Sequence, residues 1–130
     1  MKFRYKKFNG ILRPVIPITL ENAGKEVRYE VLVDSGADLC LFDADIGEII
    51  GMDIKSGKPF PVAGVGGITK YYLHRVSIEV GGHKYKINTG FLPGFSKNFR
   101  YGVVGQAGFF DTFIVKFDLA KEQIELKQRI

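Results

Sequence analysis

Residues 31–42 of this chain read VLVDSGADLCLF, an apolar segment that runs into a carboxylate and then becomes apolar again. The first three residues favour a β-strand. An acid at the end of such a strand is unusual, because a buried carboxylate costs free energy unless it is paired or hydrogen-bonded. Gly36 permits a tight turn that a residue with a Cβ would resist. The stretch therefore predicts a turn that holds Asp34 at a strand end, with backbone amides and the Ser35 hydroxyl around it.

The same residues have a plainer interpretation as a solvated turn, since Asp, Ser and Gly are ordinary turn formers. The string Asp-Ser-Gly-Ala is also short enough to occur by chance. Its context favours a functional site, because apolar segments flank it on both sides and a glycine-rich loop follows downstream.

Two further motifs follow Asp34 along the chain. Residues 64–67 read Gly-Val-Gly-Gly and lie between two segments with extended patterns, whereas a phosphate-binding loop opens a helix and ends in Lys-Ser/Thr. Phosphate binding is therefore not predicted, and a plain hairpin turn remains an alternative for this loop. Residues 103–105 read Val-Val-Gly, a short apolar strand that ends in glycine.

In this order and spacing, the three motifs resemble those of the retropepsin-like, or retroviral-type, aspartic proteases, and most of all the cellular and bacterial-type members with a single domain. In that family Asp-Thr/Ser-Gly-Ala is followed by Asp, as it is here. The resemblance covers residues 15–117. It implies that Asp34 is the catalytic aspartate and that Ser35, Gly36 and Ala37 form the active-site loop.

The resemblance also implies how a substrate is held and which fold holds it. Gly36 and Asp38 would bind the substrate backbone, and Val65, Gly66 and Gly67 would cover it from a mobile flap. Ser35 would hydrogen-bond across a dimer interface. The implied fold is all-β, a small closed β-barrel with one or two short helices, in a single domain spanning residues 1–130.

One position departs from the retroviral pattern. Those proteases usually have Arg after the glycine of the third motif, where this chain has Gln106. That arginine commonly pairs with the acid that Asp38 matches. Gln106 can hydrogen-bond a carboxylate but brings no charge, and Arg13 or Arg100 are the candidates to replace the missing cation.

Aspartic proteolysis needs two carboxylates that share one proton, one acting as base on the attacking water and the other protonating the carbonyl oxygen. The chain contains one Asp-Ser-Gly, and neither Asp111 nor Asp118 is followed by the required glycine. A protease therefore requires a symmetric homodimer with two Asp34 side chains at its two-fold axis. The expected activity is that of an aspartic endopeptidase, a hydrolase that binds an extended polypeptide through strand-like hydrogen bonds.

Composition agrees with a small globular domain. The chain has 130 residues, of which 45% are hydrophobic, and its single cysteine, Cys40, permits no intrachain disulfide. A reducing, cytoplasmic location is the simpler inference, and Cys40 is expected to be a small buried hydrophobe. The net charge of +5 concentrates at residues 2–7 and 116–129. We expect solvated strands or tails there, with no nucleic-acid partner, no membrane span, no metal and no cofactor.

The chain reads mostly as short strands joined by glycine-containing turns. A helix is expected at residues 43–51, with Asp43 as its N-cap and with Ile46, Ile49 and Ile50 on a core-facing side. Gly108 to Phe113 favours a helical turn. The predicted strands cover residues 15–20, 27–33, 39–42, 59–65, 68–80, 83–91, 103–105, 114–118 and 123–127. A chain with mostly short strands and one or two short helices suits a small closed β-barrel.

Three other functional classes compete with the protease. The first is a non-catalytic dimerisation or peptide-binding module on the same fold, for which Gln106 leaves room, although a binder has no need of Asp34. The second is a serine hydrolase that uses Ser35 with His74 or His83, but no Gly-x-Ser-x-Gly elbow is present. The third is a metal site, and it is poor because no His or Cys falls at ligand spacing. Its candidate ligands would be Asp34, Asp38, Asp43 and Asp45.

Overall fold

The computed structural model describes residues 1–64, 67–97 and 99–129. Within these ranges strands dominate, with one α-helix, α1 (Ala44–Ile49), and two 3-10 helices at Ile54–Ser56 and Phe95–Lys97. The prediction of an all-β fold is therefore confirmed, and α1 is the short α-helix that it includes. The strands are β1 (Lys2–Arg4), β2 (Lys6–Phe8), β3 (Ile11–Arg13), β4 (Val15–Asn22), β5 (Lys25–Val33), β6 (Leu41–Asp43), β7 (Lys58–Gly64), β8 (Gly67–Val80), β9 (His83–Leu92), β10 (Gly102–Val104), β11 (Phe113–Asp118) and β12 (Gln123–Gln128).

Seven strands form the main sheet, in the order β4-β5-β10-β6-β9-β8-β7. Strand β4 also pairs with the far end of β8, at Thr19↔Glu79, so the sheet returns on itself as a ring of strands. The strands form this ring where the sequence analysis expects a closed barrel. Pro17 pairs with β5 on one side only, because the β8 pairing begins at Thr19, and proline in a sheet is generally confined to such edge positions.

The N-terminal segment is ordered as strands instead of a tail. Strand β1 pairs with β12 in a second sheet of order β1-β12-β11, and β2 pairs with β3 in a separate hairpin. The turn of that hairpin is Asn9-Gly10, whose φ angles are +50° and +76°. Positive φ at both central residues is typical of the type I′ turn, whose twist matches that of the two strands. The two lysines of the hairpin, Lys6 and Lys7, are exposed. Of the two expectations for this basic segment, solvated strands or a tail, the structure shows the strands.

Helix α1 begins as predicted, because the Asp43 carboxylate accepts a hydrogen bond from the Asp45 amide at 3.0 Å. The predicted core face is wrong at Ile49, which is 60% exposed, although Ile50 is buried. The buried side is centred on Gly47, where an added Cβ would lie 3.0 Å from the Phe91 ring. Because Gly47 faces the core and successive helical residues are about 100° apart, Ile49, two residues later, faces solvent.

The turn predicted at residues 108–113 is present. The Phe113 amide donates to the Phe109 carbonyl oxygen at 2.9 Å, and both rings are fully buried. Ile124 and Leu126 are buried on one side of β12, as their alternation indicates. No helix among the described residues is long and apolar enough to span a lipid bilayer.

Candidate active site

Asp34 follows β5 directly, as the sequence predicts, and Val31 and Val33 near the end of that strand are buried. Its amide donates to the Val104 carbonyl oxygen at 3.0 Å, which extends the parallel pairing of β5 with β10. The Gly36 amide donates to Asp34 Oδ1 at 2.9 Å, and the Ala37 amide donates to the Asp34 carbonyl oxygen at 3.2 Å. The turn thus holds the half-buried carboxylate through its own backbone. Among the described residues, the exposed Ser35 hydroxyl donates no hydrogen bond to it.

Strand β10 and the turn after it clamp the residue 34–38 loop from one side. The Gln106 amide donates to the Ala37 carbonyl oxygen at 2.8 Å, and the Ala107 amide donates to the Asp38 carbonyl oxygen at 3.0 Å. Gly105 permits this approach, because an added Cβ there would lie 2.5 Å from the Ala37 carbonyl oxygen. The third sequence motif therefore lies against the first.

The Gln106 side chain takes part in the same clamp. Its Nε2 donates to the Ser35 carbonyl oxygen at 2.6 Å, so it contacts the loop backbone and not the Asp38 carboxylate. The expected replacement of the missing arginine is also wrong. Within the described ranges the ion pairs are Lys2–Glu125 and Lys6–Glu30, and the Arg100 guanidinium lies over an aromatic ring. Asp38 is exposed, with no cation against it in the described part of the chain.

A cavity of about 440 Å³ opens beside the loop, and Asp34, Ala37 and Asp38 line it. Most of its other lining is apolar. The lining residues from the rest of the chain are Leu39, Leu41, Val62, Ala63, Gly67, Ile68, Thr69, Tyr71, Leu92, Phe95, Phe99 and Val103. A carboxylate at the wall of a largely apolar cleft is the arrangement expected of a ligand or catalytic site.

The β7–β8 hairpin supplies one side of this cavity. Gly64 pairs with Gly67 at its end, and Gly67 has a φ of +114°, which only glycine adopts readily. Val65 and Gly66, which the resemblance assigns to a flap, lie outside the described residues. Ile68 beside them is 81% exposed. The glycine-rich loop thus joins two strands, as the sequence indicates, and its described end reaches the cavity that contains Asp34.

Cys40 lies under the loop and is buried, as expected. Its thiol donates to the Ala107 carbonyl oxygen at 3.5 Å. Burial raises the pKa of the Cys40 thiol to about 11, and the nearby carboxylate of Asp111 acts in the same direction, against a smaller opposing hydrogen bond from the Gly105 backbone. The thiol is therefore protonated near neutral pH and is no nucleophile.

The groups required by the competing serine-hydrolase and metal hypotheses do not come together among the described residues. His74 Nε2 lies 2.6 Å from the Ile54 carbonyl oxygen, and the His83 ring stacks on Tyr85. Neither ring contacts Ser35 among the described residues. The Asp43 carboxylate caps α1, and the Asp43 amide donates to the Tyr29 hydroxyl oxygen at 3.2 Å.

Comparisons with known proteins agree with this geometry at the level of the fold. No protein-family model matches the sequence, and no curated protein matches it. Among solved structures, the chain is similar to the crystal structure of a retropepsin-like aspartic protease from Rickettsia conorii, with a TM-score of 0.72 and 17% identity. The match covers 97% of this chain and 89% of that one. The fold is retropepsin-like.

Sequence reasoning missed the aromatic side of the cavity. Tyr71, Phe95 and Phe99 line it, and none of them lies in the three motifs. Their apolar character is ordinary for strands and buried loops, so no local pattern separates them from core residues. The one available signal was the phenylalanine content of residues 91–99, a segment that also contains Pro and Gly.

Proposed function

We propose that this chain is an aspartic endopeptidase that acts as a homodimer on extended polypeptides. The observation that carries the proposal is the position of Asp34. Its carboxylate is held by the Gly36 amide at 2.9 Å on the wall of a largely apolar cavity, in a retropepsin-like fold. A carboxylate fixed by backbone groups beside a substrate-sized cleft is suited to activating a water molecule.

The mechanism needs a second acid, and the chain contains a single Asp-Ser-Gly. Two copies would bring two Asp34 carboxylates together, and like charges at short range cannot both ionise. One carboxylate then accepts a proton from the attacking water, while the protonated partner donates to the carbonyl oxygen of the scissile bond. The exposed Ser35 is available to hydrogen-bond across the interface that this arrangement requires.

The same proposal assigns roles to the residues around the acid. Gly36 and Asp38 bind the substrate backbone from below, and the β7–β8 hairpin covers it with Val65, Gly66 and Gly67. An extended peptide adds strand-like hydrogen bonds between these two backbones, which leaves its side chains to enter pockets alternately. The apolar lining of the cavity favours an apolar side chain next to the scissile bond.

Cleavage of a peptide library by the wild type and by Asp34→Asn tests the proposal. We expect cleavage by the wild type and none by Asp34→Asn, with the variant as stable as the wild type, because Asn retains the shape of the acid. Asp118→Asn is the matched control, since Asp118 lies on β11 outside the cavity lining, and it should cleave normally. Cleavage by Asp34→Asn would refute the assignment. Peptide binding without cleavage by the wild type would favour the peptide-binding module instead.

A further inference from the structure

Residues 93–97 and 99–101, here called the wall loop, contribute the aromatic side of the cavity. Phe95 is buried and stacks on Phe99, with ring centroids 4.9 Å apart and planes 29° from parallel. The Phe99 amide donates to the Phe95 carbonyl oxygen at 3.0 Å. Phe99 nevertheless is 54% exposed, and it lines the cavity as well as stacking on Phe95.

The end of the wall loop is held by an aromatic stack against the N-terminal hairpin formed by β2 and β3. The Arg100 guanidinium lies 4.3 Å from the centroid of the Phe8 ring and 5.9 Å from that of Tyr101. The Phe8 and Tyr101 rings meet edge to face with centroids 6.3 Å apart. Arg100 is exposed and is absent from the ion pairs of the described residues, so its contacts are with ring faces.

The N-terminal hairpin that carries Phe8 also contacts β5. Phe8 pairs with Ile11 next to the Asn9-Gly10 turn, and the Lys6 ammonium forms an ion pair with the Glu30 carboxylate on β5. Strand β5 ends at Val33, directly before Asp34. The hairpin therefore connects the strand that carries the acid to the loop that carries Phe99.

We propose that the N-terminal hairpin sets the position of the cavity's aromatic wall through the Phe8–Arg100–Tyr101 stack, and that Arg100 is a positioning residue for substrate selection. The inference rests on the proposed peptidase function, because the side chain it selects belongs to a peptide. Without the Arg100 guanidinium, residues 99–101 of the wall loop lose their contact with Phe8 and become more mobile. The Phe99 ring then no longer keeps one position against a large apolar side chain of the substrate.

The first test compares two peptides that differ only in Phe or Ala before the scissile bond. Arg100→Ala and Phe8→Leu should each lower the ratio of kcat/KM for the Phe and Ala peptides about two- to fivefold, which an exposed cation–π contact is worth. The change should fall on KM for the Phe peptide. The double variant should lose no more than either single variant, because both remove one contact.

Two matched variants separate this role from a change of charge. Arg28→Ala removes an exposed arginine from β5, away from the cavity lining, and should leave the ratio unchanged. Arg100→Lys keeps the charge but loses the planar group that stacks on rings, and should fall between the wild type and Arg100→Ala. Additive losses in the double variant, or a ratio equal to that of the wild type in Arg100→Ala, would overturn the proposal.

The second test needs no activity. Hydrogen exchange at the Phe99 amide should be about two- to fivefold faster in Arg100→Ala and Phe8→Leu than in the wild type or Arg28→Ala. If the wild type cleaves no peptide, the peptidase proposal fails, and this exchange measurement alone decides the role of the hairpin. Unchanged exchange would refute that role, and faster exchange with unchanged selectivity would refute the part of Arg100 in selection.

Discussion

Gly105→Ala should separate the Asp34 loop from the strand that supports it. An added Cβ would lie 2.5 Å from the Ala37 carbonyl oxygen and 2.6 Å from that of Leu39, and both atoms belong to backbone. Ordinary contact begins at 3.4 Å, so the loop must move away by about 0.9 Å. The φ of Gly105 lies outside the left-handed region, so the cost is steric and not conformational.

That displacement breaks or weakens two hydrogen bonds, which the Gln106 and Ala107 amides donate to the loop. Each contributes about 1 kcal/mol net. Overpacking adds about 1–3 kcal/mol, so the free energy of unfolding should fall by about 3–5 kcal/mol in total. Most domains retain a fold after such a loss, since they begin with about 5–15 kcal/mol.

Urea unfolding of the wild type and Gly105→Ala measures this loss, and peptide cleavage measures its effect on the acid. The expected result is a lower midpoint at an unchanged slope, with kcat/KM reduced because Asp34 no longer sits where the Val104 carbonyl holds its amide. Gly24→Ala is the control. An added Cβ there meets no atom within 4 Å, and its φ of +82° costs an alanine about 1–2 kcal/mol. A loss for Gly105→Ala no larger than that of Gly24→Ala, or unchanged cleavage, would refute the reasoning.

Two other predictions concern pH and assembly. Because the folded pKa of the Cys40 thiol is raised from 9.0 to about 11, its contribution to stability is present below pH 9 and is lost as pH rises towards 11. The free energy of unfolding should fall by about 2–3 kcal/mol over that range. In Cys40→Ala this decline with pH should be flatter. An equally steep decline in the variant would show that groups other than Cys40 cause it. If two Asp34 side chains form the site, activity per chain should fall on dilution in step with the dimer fraction measured by sedimentation, whereas full activity from a monomer would contradict the two-chain mechanism.

The local structure of the acid was available from the sequence. An apolar strand, a carboxylate and a glycine predict a strand end followed by a tight turn, and the Gly36 amide closes that turn on the Asp34 carboxylate. The Asp43 cap of α1 was equally predictable from the sequence. Such features depend on φ restrictions and on hydrogen bonds between residues two or three positions apart, so a short window of sequence contains all their partners.

Contacts between distant segments needed the tertiary structure. Strand β10 lies between β5 and β6, and only this pairing brings Gln106 to the Ser35 carbonyl oxygen instead of the Asp38 carboxylate. The sequence likewise did not determine that Ile49 is exposed or that Phe99 lines the cavity. Apolar residues of similar size satisfy a core position, a cavity wall or a surface equally well by composition. The choice among them is made when strands far apart in the chain pair, because that pairing sets which side chains face one another.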